Sequence, residues 1–225
     1  MKGILTLLMV LLFLEKGAFA SSPDFSDWES AGDAIARFGA EDKLKNATDW
    51  MRWAQRVLLK PYYLSKGLKS EEEMGSAAEQ DWIRAEKRTS RSYQSMNFSL
   101  DGWRGYRFLS LSYTNLDFKE QAFGIHFELL PGSLKIDEIL NRYAGVIHDT
   151  FDEGGEKRLR FTIPPGRSLN GTPLSKFQSQ LIDNDELWID FGLSSDNQVR
   201  FVEVLNIKSN PQRVPFTKEW NWDDY

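Results

Sequence analysis

The stretch 122-AFGIHFELLPG-132 decides the fold. Phe123, Ile125, Phe127 and Leu129 alternate with Gly124, His126 and Glu128. Period-two alternation marks a strand with one apolar face and one polar face. Pro131-Gly132 turns the chain, and Ser133 opens a segment with an apolar stripe at Ile136, Ile139, Leu140, Tyr143 and Ile147. That spacing predicts a helix to about Asp149, lying on the apolar side of the strand.

Upstream, the same alternation places strands at Tyr93–Leu100 and Tyr106–Tyr113. They flank the five-residue turn Asp101-Gly102-Trp103-Arg104-Gly105. Downstream, Arg158–Ile163 is a strand ended by Pro164-Pro165-Gly166. Thr172-Pro173 opens a short helix through Leu181. Leu187–Leu193 and Gln198–Ile207 form a last hairpin over Ser194–Asn197. Sequential hairpins with one covering helix give an α+β class: a mainly antiparallel sheet with an amphipathic helix packed on one face.

Three helices are expected before the sheet. The first is capped at Ser26, with Glu29 as the capping-box partner, and runs to Gly39 with Trp28, Ala31, Ile35 and Phe38 on its stripe. The second spans about Glu41 to Leu59, carries Trp50, Trp53, Ala54, Val57 and Leu58, and is stopped by Pro61. The third opens at Ser70-Glu71-Glu72-Glu73 and reaches about Arg91, acidic at its start and basic at its end, as the helix dipole favours. The implied organisation is 1–20 a signal peptide, 21–91 a helical region, 92–208 the sheet domain and 209–225 an irregular aromatic and acidic tail.

The first residues have the grammar of an export signal: Lys2, an apolar run Ile4–Leu14, then Ala18-Phe19-Ala20 as a cleavage site. The run is eleven residues, where a membrane-spanning helix needs about 20. The mature chain is therefore expected to begin near Ser21, to be exported to a periplasm or medium, and to carry no transmembrane anchor. Removing 1–20 takes away Lys2, Lys16 and Glu15 and moves the formal charge from −5 to −6. A mildly acidic chain is unsuited to general nucleic-acid binding. With no cysteine in the sequence, disulfides and thiol chemistry are out, and a bacterial envelope is the expected setting. The sequons at Asn46, Asn97 and Asn170 are short chance patterns, and Pro173 weakens the last.

Candidate functional residues fall on the polar side of the strands: Gly124, His126 and Glu128; Arg158, Arg160 and Thr162; Trp188, Asp190 and Gly192. If these strands share a sheet, the set supplies an imidazole, two carboxylates, two guanidiniums and an indole. It can bind an anionic or sugar-like group, with arginine forks for acids and Trp188 as a platform. It can also support acid–base chemistry through His126, Glu128 and Asp190. Trp103 and Arg104, at a turn tip, resemble a recognition hot spot. Arg84, Lys87, Arg88 and Arg91 are expected to form a basic stripe on the third helix. His148 is expected at a helix C-terminus. Trp220 and Trp222 in the tail can strap the sheet or meet a partner.

No metal or cofactor site is expected. The two histidines lack HExxH or HxH spacing, and GxSxG, P-loop and GxGxxG motifs are absent. The function expected is a non-catalytic binding or accessory protein, of the inhibitor or immunity kind, with a protein or envelope-component partner. The alternative is a cell-wall or glycan hydrolase using His126 and the carboxylates.

Overall fold

The computed structural model describes residues 22–38, 47–90, 93–116, 120–144, 148–163 and 185–209. Within them, one eight-stranded antiparallel sheet carries five helices on its apolar face. The helices are α1 (Phe25–Phe38), α2 (Ala47–Leu58), α3 (Lys60–Ser65), α4 (Glu71–Arg84) and α5 (Ile136–Arg142). The strands are β1 (Glu86–Thr89), β2 (Tyr93–Ser99), β3 (Tyr106–Leu116), β4 (Glu120–Leu129), β5 (His148–Glu153), β6 (Glu156–Ile163), β7 (Asp185–Leu193) and β8 (Val199–Ser209). Their spatial order is β1-β2-β3-β4-β8-β7-β6-β5. Two four-stranded meanders thus meet where β4 pairs with β8. The α+β class and the mainly antiparallel sheet are as the alternation implied, and no helix among the described residues is long and apolar enough to cross a membrane.

The opening alternation explains the sheet's position. Phe123, Ile125 and Phe127 are buried on one side of β4. They lie level with Leu111 and Leu109 of β3 and Val204 and Val202 of β8. Aromatic side chains from the helices dock there. Trp50 meets Phe123 edge to face at 5.2 Å, Trp28 meets Phe191 at 6.0 Å, and Trp82 lies 6.3 Å from Phe98. Trp28 and Trp50 are fully buried, and truncating such a side chain to alanine costs about 3–5 kcal/mol. Helices and sheet share one hydrophobic cluster. The N-terminal helices therefore cover the apolar face, beside α5, and do not seal the polar one.

Polar clasps fix α1. Trp28 Nε1–H donates to the Tyr143 hydroxyl at 2.8 Å, and that hydroxyl donates to Glu29 at 3.1 Å. On the other side, Asp27 accepts from Arg104 at 2.9 Å and from the Tyr106 hydroxyl at 3.0 Å. Burial raises the Asp27 carboxyl above its ordinary value, and those two donors offset the shift only in part.

Several element boundaries differ from the sequence reading. The cap of α1 is Asp24, whose side chain accepts from the Ser26 amide at 2.9 Å, so the helix starts one residue before the Ser26 cap expected. α2 ends at Leu58, within a residue of the expected Leu59, but a new helix follows at once rather than a break at Pro61. That proline sits in the first turn of α3, where its missing N–H costs nothing. The Ser70/Glu73 capping box is present, but α4 stops at Arg84, and Lys87 and Arg88 lie on strand β1. The basic stripe expected on one helix face is therefore divided between α4, with Arg84, and β1, with Lys87 and Arg88, and Arg91 lies outside the described residues. The helix after Pro131-Gly132 ends at Arg142, and His148-Asp149 begins β5. Gly154 and Gly155, at φ +60° and +86°, form the two-residue turn that folds β5 back onto β6. That pairing draws His148 into the sheet rather than onto a helix end. The signal segment, the Thr172–Leu181 helix, the sequons at Asn46 and Asn170, and Trp220 and Trp222 lie outside the described residues.

Candidate functional site

Register places the polar-face candidates in three adjacent rows. The central row runs Asp149, Arg160, Asp190, Glu203, His126, Ser110, Asn97 across seven strands. One row holds Phe151, Arg158, Gly192, Phe201 and Glu128, and the other holds Thr162, Trp188, Leu205, Gly124 and Ser112. The sheet thus gathers every polar-face residue named from sequence onto one surface. All five described helices lie on the opposite side.

The charges there are tied to one another. Asp190 is fully buried, and Arg160 grips it with two hydrogen bonds of 2.7 and 2.6 Å. The guanidinium of Arg160 lies between the rings of Trp188, at 4.1 Å, and Phe151, at 4.6 Å. Arg158 donates to Glu203 at 3.1 Å and lies 3.7 Å from Asp190. Its Nε is 3.0 Å from Glu153, without the alignment of a hydrogen bond. Both arginine forks and the Trp188 platform are thus occupied by neighbours. Burial raises the Glu203 carboxyl, and Arg158 opposes that shift.

His126 stacks on Phe201, with ring centres 4.8 Å apart. Burial, helped by the Arg158 charge, pushes its imidazole down to about 4. It is neutral at physiological pH and holds a proton only in acid. Its strand neighbour Glu128 pairs with Arg107 across the ladder at 3.2 Å, so the two are not organised as a base and its orienting acid. Phe201 leans over Gly192, where an added Cβ would collide with the ring.

One end of this face opens into a cleft of about 750 Å³. Its floor is His126 and Phe201. Its rim is built by the turns at Leu130–Pro131 and Ser194–Gln198, with Arg107, Glu128, Arg200 and Glu156 projecting around it. Arg107 and Arg200 are more than half exposed, and Arg200 pairs with Glu156 at 2.9 Å. The lining offers solvent-exposed charges of both signs above an aromatic base.

Trp103 and Arg104 are placed elsewhere. Their turn folds back on the helices, with Trp103 at 5.7 Å from Tyr62 and 6.1 Å from Tyr106. Arg104, at φ 50°, is engaged by Asp27 and Asp24. Sequence reasoning missed Glu203, Phe201 and Arg200. The signal was present: Phe201 and Glu203 alternate with Val202 and Val204 in period two. No cluster of three or more His, Cys, Asp or Glu able to hold a metal occurs among the described residues. No family model matches the chain, and neither a curated protein nor a solved structure is significantly similar to it.

Proposed function

We propose that the chain is an exported, non-catalytic binding or accessory protein that engages a protein or other envelope component through its polar sheet face. The observation that carries this reading is the contrast between the middle of the face and its end. In the middle, Arg158, Arg160, Asp190 and Glu203 are tied together in largely buried ion pairs, whereas the pairs Arg107–Glu128 and Arg200–Glu156 are exposed to solvent. At the end, Arg107, Arg200, Glu128 and Asp196 surround an open cleft. Fixed ion pairs below and exposed charges of both signs at a rim suit recognition of a polar surface, where complementarity sets partner choice. Export rests on Lys2, the short apolar run and Ala18-Phe19-Ala20.

A second reading, glycan or cell-wall hydrolysis, has one observation in its favour. Glu203 and Asp190 are cross-strand neighbours in contrasting environments, one carboxyl raised by burial and the other gripped by arginine. Two neighbouring carboxylates in unlike surroundings are the arrangement that acid–base division of labour uses.

The test is affinity capture from envelope extract with the chain from Ser21 onward, in native form and as Arg107→Glu/Arg200→Glu. A stoichiometric partner released by the rim variant supports recognition at the cleft. Turnover of purified cell wall or glycan that disappears in Glu203→Gln supports hydrolysis instead. A partner held equally by the rim variant places recognition on another face.

A further inference from the structure

A groove of about 550 Å³ runs between α2, α3 and α4, separate from the polar sheet face. Val57, Tyr63, Met74 and Ala78 form its apolar walls. Val57 is 43% exposed there. Gly75 sits in the floor, and a Cβ added to it meets nothing within 4 Å. Nothing packed nearby requires glycine at that position, and a mid-helix glycine is entropically costly. Its effect is to leave a notch in α4.

The charges at the lip are unequal in their commitments. Glu79 is held by Arg52 at 2.5 Å. Glu71 lies in the first turn of α4, where the helix N-terminus favours an anion. Arg56 and Lys60, four residues apart in the same lining, form no ion pair within 4 Å among the described residues, although the Glu79 carboxyl, lowered chiefly by its bond to Arg52, is lowered further by the Arg56 charge. The groove therefore presents an apolar trough edged by Arg56 and Lys60, with Glu79 of the same lining already engaged by Arg52. Its volume lies within the range of small-molecule sites, about 300–1,000 Å³.

We propose that this groove binds a single-chain amphiphile with an anionic head, a free fatty acid being the simplest case. The chain lies on Val57, Met74 and Ala78 and fills the Gly75 notch. The carboxylate meets Arg56 and Lys60. The site stands apart from the reading of the sheet face and does not depend on it.

The experiment titrates the chain from Ser21 with dodecanoate below its micelle concentration, followed by calorimetry and by amide NMR shifts. Dodecyl maltoside and dodecyltrimethylammonium serve as neutral and cationic controls. The expected result is saturable one-to-one binding of dodecanoate, with shifts centred on Val57, Met74, Gly75 and Ala78. Gly75→Leu abolishes it, and Arg56→Ala/Lys60→Ala weakens it at least tenfold. Should Gly75→Leu fail to fold, Val57→Glu, at an exposed position, blocks the same trough. Equal affinity for all three amphiphiles overturns the proposal, as does dodecanoate binding that survives both groove variants. Attachment only to phosphatidylglycerol vesicles, with no response to monomeric dodecanoate, overturns it in favour of a membrane surface.

Discussion

Arg160 and Asp190 face each other across the β6–β7 ladder, joined by two charge-assisted hydrogen bonds, with the carboxylate fully buried and the guanidinium held between two aromatic rings. A pair so enclosed couples the outer strands to the centre of the sheet. Removing one partner strands a buried charge, which costs about 3–5 kcal/mol. Arg160→Ala is expected at the lower end of that range, because Arg158, at 3.7 Å, still faces Asp190. Urea denaturation measures the difference. A loss below about 1 kcal/mol would mean that the pair is more solvated than its burial indicates.

His126 makes the fold sensitive to mild acid. Its folded value of about 4 lies below the ordinary 6.5, so the folded state binds the proton less well than the unfolded chain. The associated stability is fully present above pH 6.5 and is lost as pH falls towards about 4. Its size is on the order of 2–4 kcal/mol at 1.36 kcal/mol per pH unit. Glu203, raised by burial, acts in the opposite sense as it becomes protonated. Comparison with His126→Asn isolates the histidine: the variant is expected to show a flatter stability profile between pH 6.5 and 4. NMR titration of the ring gives the same answer directly. A midpoint near 6.5 would return His126 to the list of acid–base candidates.

Gly192→Ala is expected to destabilise the protein by about 1–3 kcal/mol, because the new methyl group meets the Phe201 ring. The cost should shrink in a Phe201→Leu background, where the obstructing ring is gone. A double-mutant cycle in chemical denaturation reads the coupling. Additive losses would show that the two residues do not share the space.

Gly75→Ala should raise stability by about 1 kcal/mol through helix propensity alone, since the added carbon meets no neighbour. Thermal unfolding checks it. A lower midpoint would mean that the floor of the helical groove is already filled.

Alternation made β2, β3, β4, β6, β7 and β8 legible, because each has a buried side whose residues recur every second position. Phe123, Ile125 and Phe127 are the clearest case. The edge strands were not legible. Glu86–Thr89 and His148–Glu153 are almost wholly exposed, so neither has an apolar period, and each owes its conformation to the one strand it pairs with. The same physics explains why Lys87 and Arg88 read as helix: without burial, charge order was the remaining signal. On the polar face, membership was readable from side-chain parity, but contact was not. That Glu203 lies beside His126 depends on β4 pairing with β8, a choice made by long-range packing. That Trp103 turns inward depends on Tyr62 and Tyr106, which no local pattern places beneath it.

The strand order also bears on how the chain is made. β8 is the last strand in sequence among the described elements, yet it lies in the middle of the sheet, between β4 and β7. On a ribosome, β1–β4 and β5–β7 emerge first, and until β8 follows they remain two half-sheets with bare inner edges at β4 and β7. Bare edges of apolar strands are templates for wrong pairing between chains. Among the described strands the last to be made is thus the one that joins the two halves, and a nascent chain lacking Val199–Ser209 has no strand to bridge β4 and β7.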